Sequence, residues 1–375
     1  MISLVQPQLI FPMKPSRTAS RSGSVTSAII LPLLSALFLT VIMEGGLRLY
    51  YGDHAKPFGG YGYAHFSADL KLGRFMHLIS REIEPDFIFI GHSMADRAFY
   101  PSAFKQGFAS RTGKIPSCFN LAFHGLTRHR IKEIIQVINR ISPSSRIIWG
   151  CGFFDFGKYV QLEKYKPLHE NNWFRYRLGE WNLEGWLTHH SVLLRRFSLL
   201  RMRMEFPASF RIHRRYAGFQ RDNGFFLIPE KKIPRSGGGF SNNILRKKAR
   251  QAGQFREPES YRSLLSRIVP ADFRGNTRIV LLPTHHVLTR IYKDAGYPPK
   301  RITGEIAKAC DDLGIPVIEP PPVEIFFPRS WKNPDHLSPS GAREYSLWLG
   351  ERLGEEFRKG RIRLKRLPTH EPVLH

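Results

Sequence analysis

The chain runs to 375 residues, of which 42% are hydrophobic and 13% aromatic, enough apolar material for a large buried core and too much for intrinsic disorder. Its 57 lysines and arginines face 31 acidic residues, a formal net charge of +26, so the surface carries a positive field that draws anionic partners without specifying a fold. Three scattered cysteines, Cys118, Cys151 and Cys310, exclude a disulfide framework or a paired-cysteine zinc site and read as small buried hydrophobes.

The first element is apolar. No charge falls between Arg21 and Glu44, and the run from Ala28 to Met43 approaches the length of about 20 residues that crosses a bilayer. A transmembrane helix is expected over residues 25–44. Lys14, Arg17 and Arg21 precede it without an acid, which keeps residues 1–24 in the cytoplasm and exports the rest. A secretory signal peptide is the competing reading. The length of the run and the lack of a small-x-small site after Met43 favour an uncleaved anchor in the inner (cytoplasmic) membrane, with the C-terminal part periplasmic or otherwise extracytoplasmic.

Residues 45–84 form a connector and a first amphipathic helix around Leu70–Ile83. Phe87, Ile88, Phe89 and Ile90 then end at Gly91, the pattern of a short strand buried on both faces. Similar runs follow at Cys118–Ala122, Arg146–Gly150, Ile279–Pro283 and, more weakly, Ile315–Ile318. Between the second and third runs, Ile131, Ile134, Ile135 and Ile138 form the stripe of a helix over Leu126–Arg140. Strands separated by helices imply crossovers, hence an α/β fold with a mostly parallel sheet and a ligand site at the carboxyl ends of its strands.

An insertion at about residues 158–265 separates the third and fourth runs and is too long for a bare loop. It holds Trp173, Trp181 and Trp186, and between Arg195 and Arg221 it has eight arginines against one acid, Glu205. Leu194, Phe197, Leu200 and Met204 suggest a helix with an apolar and a basic side, either simply solvated or a surface for an anionic glycan or lipid. The anchor supplies membrane lipid as a further partner; no nucleic-acid partner is expected. Residues 358–375 read as a basic tail beyond the last helix.

Chemistry concentrates at the strand ends. Gly91-His92-Ser93 follows the first strand, where a serine hydroxyl projects at the carboxyl edge beside a helix N-terminus. Gly125 follows the second, where a glycine lets backbone approach a ligand and donate its amide. His285 and His286 follow the fourth and are candidates for substrate contact or plain structure. Asp96 and Arg97 read as helix-surface residues. Near the end, Asn333-Pro334-Asp335-His336 leads into a helix whose apolar positions include Tyr345 and Leu349, and a histidine there can serve a serine as general base.

Taken in order, these blocks resemble the SGNH/GDSL hydrolase family over most of residues 85–357: the strand with Gly91-His92-Ser93, the glycine block Phe119–Gly125, and the histidine block His336–Gly341. The resemblance implies a flavodoxin-like three-layer sandwich in which Ser93 attacks an acyl carbonyl and His336 takes its proton. The amides of Ser93 and Gly125 would hold the oxyanion, and no metal or cofactor is required. The chain departs from the family pattern twice: the third strand ends without the usual asparagine, and Asn333 stands where the family's aspartate precedes the histidine, leaving Asp335 adjacent to His336 and Asn333 as a neutral orienter. With the anchor, the resemblance extends to exported bacterial proteins that modify envelope polysaccharides. The expected activity is therefore that of an esterase or O-acyltransferase on a cell-envelope glycan; the alternative is a catalytically silent relative that binds or assembles an anionic polymer.

Overall fold

A computed structural model describes residues 22–51, 60–62, 66–157, 168–205, 223–225, 240–322 and 326–364. The chain divides into two compact units, residues 1–54 and 55–375.

In the first unit, helix α1 spans Ser22–Tyr51. The segment Ile29–Tyr50 has mean hydropathy 2.0 and buries none of its window within the protein. At about 1.5 Å per residue it matches a hydrocarbon layer about 30 Å thick. The helix runs past the expected end at residue 44 because Gly45 and Gly46 do not break it and Glu44 pairs with Arg48 at 2.8 Å, one turn on.

The second unit is α/β. Helix α2 (Phe66–Ser80) precedes strand β1 (Phe87–Gly91), the short helix α3 (Ser93–Ala98), helix α4 (Pro101–Thr112) and strand β2 (Cys118–Asn120). Helix α5 (Arg128–Ile141) leads to strand β3 (Arg146–Cys151). The insertion contributes α6 (Asn172–Arg177), α7 (Leu183–His190), α8 (Val192–Glu205) and α9 (Asn242–Gln254) before α10 (Tyr261–Ile268) returns the chain to strand β4 (Thr277–Leu281). Then come α11 (His286–Asp294), α12 (Pro299–Asp312), strand β5 (Val317–Ile318), a hairpin of β6 (Trp331–Asn333) and β7 (His336–Leu337), and the closing helix α13 (Pro339–Arg358).

The five main strands pair in parallel in the order β2-β1-β3-β4-β5, which is the flavodoxin-like order. Every residue of β1 and β4 is buried, as continuous apolar runs covered on both faces require. By the right-handed rule for parallel crossovers the β1-to-β2 helix α4 belongs to one face and α5, α10 and α12, which follow connections in the opposite direction, to the other, and α10 packs against both α5 and α12. Helix α13 packs against α4 on the first face, so helices cover both sides of the sheet. The α4–α13 crossing is close: a Cβ on Gly107 would lie 2.0 Å from the Leu347 carbonyl oxygen, and one on Gly350 would lie 2.2 Å from that of Phe104.

The strand order reverses between β1 and β3, and the carboxyl ends of these two strands frame the crevice where such sheets bind ligands. Gly91, with φ of +142°, closes β1; its missing Cβ would meet the Gly150 carbonyl oxygen at 2.3 Å. The backbones of β1 and β3 can approach there only without a side chain. All three cysteines are buried and free. The basic tail begins by packing rather than leaving the body: Ile362 is buried, and the Arg361 carbonyl accepts from Arg278 Nη2 at 2.9 Å. Residues 365–375, and the basic stretches 206–222 and 226–239, lie outside the described residues.

Candidate active site

Ser93 is the first residue of α3, immediately beyond β1, and His92 caps that helix by accepting the Met94 amide on Nδ1 at 3.0 Å. His336 arrives from the far end of the chain on the β6–β7 hairpin, where it pairs with Asn333. Ser338 caps α13 behind it, accepting the Gly341 amide at 3.3 Å. The outcome is a hydrogen bond of 2.8 Å between His336 Nε2 and Ser93 Oγ, joining residues 243 positions apart.

The other ring nitrogen of His336 faces two acceptors, Asn333 Oδ1 at 3.0 Å and Asp335 Oδ1 at 3.2 Å. Asn333 Oδ1 also receives the Asp335 amide at 3.2 Å, which fixes the orientation of the asparagine side chain. With oxygen acceptors on that side, the proton sits on Nδ1 and the Nε2 lone pair points at Ser93. Burial holds His336 near pKa 4 despite the opposing pull of Asp335, so the imidazole is neutral at pH 7 and free to take a proton.

Burial would raise the Asp335 carboxyl, but its bonds to His336 and Lys248 outweigh that and hold it well below the usual carboxylate range. Since His336 is uncharged at neutral pH, the Lys248 ammonium is the cation that pairs with the Asp335 carboxylate there. Lys248 lies on α9, so the insertion reaches the site directly.

A second histidine–carboxylate pair crosses the floor of the crevice. His92 has Nδ1 occupied by the Met94 amide, so its Nε2–H donates to Asp155 Oδ2 at 2.5 Å. The same carboxylate oxygen accepts the Gly152 amide at 2.7 Å. Burial lowers the His92 pKa, and Asp155 more than restores it, leaving a net upward shift. Asp155 stands in the turn after β3. An ionised carboxylate only accepts hydrogen bonds, so it cannot stabilise an oxyanion.

Behind α3 lies a buried polar knot. Lys71 Nζ reaches Asp96 Oδ1, the Ala122 carbonyl and Asn120 Oδ1, and Asp96 Oδ2 lies 2.9 Å from His124 Nε2. Asp96 is therefore 3% exposed and paired with Lys71, rather than the surface residue read from the sequence. This knot ties the helix carrying Ser93 to the loop carrying Gly125, whose φ of +78° only glycine adopts at low cost.

These residues open on a cavity of about 220 Å³. Ser93, His336, Asp335, Gly125, His92 and Asp155 contribute its polar wall, Leu126, Phe154, Leu288 and Tyr292 its apolar wall, and Lys248 and Gln251 reach it from α9. His285 and His286 are not in that lining. His285 instead caps α11 through Nδ1, 3.2 Å from the Val287 amide, while its own amide donates to the Pro334 carbonyl at 3.1 Å, bracing the loop that carries Asp335. Among the described residues no group of three or more His, Cys, Asp or Glu side chains could hold a metal ion.

Sequence reasoning missed Lys248, Gln251 and Lys71, each of which sits in a stretch whose pattern reads as ordinary helix; only the tertiary fold gives them partners. Asp155 was visible four residues past the third strand, but its partner His92 was hidden inside the serine motif. No protein-family model matches the chain, and no curated protein matches it in sequence.

Proposed function

We propose that this chain is an SGNH-like serine esterase or O-acyltransferase, held at the membrane by α1, that acts on acyl esters of a cell-envelope glycan on the outer side. The observation that carries the reading is the relay Ser93–His336–Asn333/Asp335, with a neutral imidazole 2.8 Å from the serine oxygen at the mouth of a cavity.

In the first step Ser93 Oγ bonds to the ester carbonyl carbon as its proton passes to His336 Nε2. The carbonyl π pair moves onto oxygen, and the amides of Ser93 and Gly125 stabilise that charge. Asp335 and Asn333 hold the imidazolium that forms. When the carbonyl reforms, the ester C–O bond breaks and His336 gives its proton to the leaving alkoxide, leaving an acyl-serine. Water or a sugar hydroxyl then attacks through the same base in reverse, releasing an acid or a new ester.

The second reading, a silent binding protein for an anionic polymer, draws on one observation: the turn after β3 supplies an acceptor, Asp155, in place of a donor. Loss of one oxyanion donor typically costs about 100- to 1000-fold in rate.

A fluorophosphonate probe separates the two. The full-length protein is expected to label at Ser93, while Ser93→Ala and His336→Ala lose labelling with circular dichroism unchanged. A folded native chain that does not label at Ser93 would leave the silent reading standing.

A further inference from the structure

The insertion carries an apolar surface that the site chemistry does not use. Ten large hydrophobic side chains of the second unit are exposed among the described residues, and seven of them fall between residues 181 and 204. Trp181 is 75% exposed, Leu183 57% and Trp186 41%. On α8, which packs against α7, Leu194, Phe197, Leu200 and Met204 are exposed, Phe197 at 67% and Met204 at 75%.

At 3.6 residues per turn these four positions fall within an arc of about 120°. Val192 and Leu199, on the opposite side, are buried at 6% and 5% exposure. The helix is thus apolar on the side that faces the core and again on the side that faces out, and the outer stripe is bordered by Arg196 and Arg203 and crossed by Arg201. An apolar stripe among arginines, beside exposed tryptophans, is the composition that settles in the interface of an anionic bilayer.

The chain's entry into the body lies on the same helix. Tyr61 stacks on Trp173 with ring centroids 4.0 Å apart, and Arg195 of α8 donates to the Tyr61 hydroxyl at 3.3 Å. A Cβ on Gly60 would lie 2.3 Å from the Arg195 carbonyl oxygen.

We infer that α7 and α8 are a membrane-docking face that lies on anionic lipid. The inference rests on the reading of α1 as an anchor, and the test reads the two separately.

Full-length protein is reconstituted into phosphatidylcholine vesicles with or without about one third phosphatidylglycerol. A nitroxide is attached to a cysteine replacing Phe197, Met204, Leu37 or Ile115; the native cysteines are buried. Collision rates with lipid-soluble oxygen and a water-soluble nickel chelate give each label's depth. Labels at positions 197 and 204 are expected at shallow depth in anionic vesicles, with nickel access severalfold lower than at position 115 and rising when the anionic lipid is omitted; position 37 reads deep in both. If position 37 is deep but 197 and 204 are as water-accessible as 115, the anchor stands and the docking face is overturned. If position 37 is itself in water, both fall. Shielding at 197 that comes only from a soluble anionic polysaccharide, or from label–label coupling between two copies, also overturns the lipid assignment.

Discussion

His336 meets two oxygens on the nitrogen remote from Ser93, where a hydrolytic triad has one, and this redundancy has a measurable consequence. Either Asn333 or Asp335 alone keeps the proton on Nδ1, so Asn333→Ala and Asp335→Asn should each slow fluorophosphonate labelling by roughly 10- to 100-fold, less than a lost tautomer costs. The double variant should lose more than the product of the two, because only then is the tautomer free. Acidity gives an independent check. In the proposed mechanism His336 acts as neutral imidazole, and burial depresses its pKa to about 4, so the labelling rate should stay flat from pH 8 down to about pH 5. Below about pH 4 it should fall tenfold per unit. A limb near the ordinary histidine value would mean that His336 is not the base. At this scale the meeting of Ser93 with His336 was legible, since each sits beside a helix start at a position where a sheet collects ligands. The orienters were legible in part: Asn333, three residues before His336, was readable as a neutral partner, whereas an aspartate next to its histidine is normally badly placed, and what brings Asp335 within reach is the tight β6–β7 hairpin.

The insertion is more than a cover, because α9 sends Lys248 to the Asp335 carboxylate beside His336. Removing that cation leaves Asp335 ionised and nine-tenths enclosed, so Lys248→Ala should destabilise the fold by about 3 kcal/mol at pH 7 in urea melts, the scale of a buried pair broken on one side. The depressed carboxylate stabilises the fold in full above its ordinary pKa and loses that contribution as pH falls towards its depressed value, so the melts of variant and native protein should begin to converge below about pH 4 and meet only where the native carboxyl is itself protonated. At the α4–α13 crossing, Gly350→Ala puts a methyl group against the Phe104 carbonyl; overpacking of this kind costs about 1–3 kcal/mol and should lower the urea midpoint without altering the pH profile of labelling. The five strands were readable because each is a short apolar run closed by a turn, and their parallel order followed from the helices between them. The reach of α9 was not readable: a helix bearing Arg246, Lys247, Lys248 and Arg250 looks solvated until the fold turns one lysine inward.

For the whole molecule, the +26 charge and the apolar α1 set where the chemistry would take place. A bilayer-length helix with nothing buried within its own unit is a membrane span or a signal sequence, and the two predict different proteins in the cell. The anchor reading predicts that the mature protein keeps residues 22–51, sediments with membranes and resists extraction at alkaline pH. Recovery of a shorter, soluble form starting beyond residue 51 would identify α1 as a cleaved leader. Composition made the helix legible and could not choose between these fates, because both need the same apolar run. The acyl acceptor is equally beyond the sequence, since the cavity wall is assembled from α3, the turns after β1, β2 and β3, α9, α11 and the β6–β7 hairpin.

The central claim is that Ser93 takes an acyl group from an ester under the control of His336. Mass spectrometry of the full-length protein after brief exposure to p-nitrophenyl acetate tests it most directly. The account predicts one acetyl group, mapped to the Ser93 peptide, which forms more slowly as pH falls below about 4 and is absent from His336→Ala. A folded native protein that stays unacetylated, or one that carries the acetyl group elsewhere and keeps it in Ser93→Ala, would contradict it.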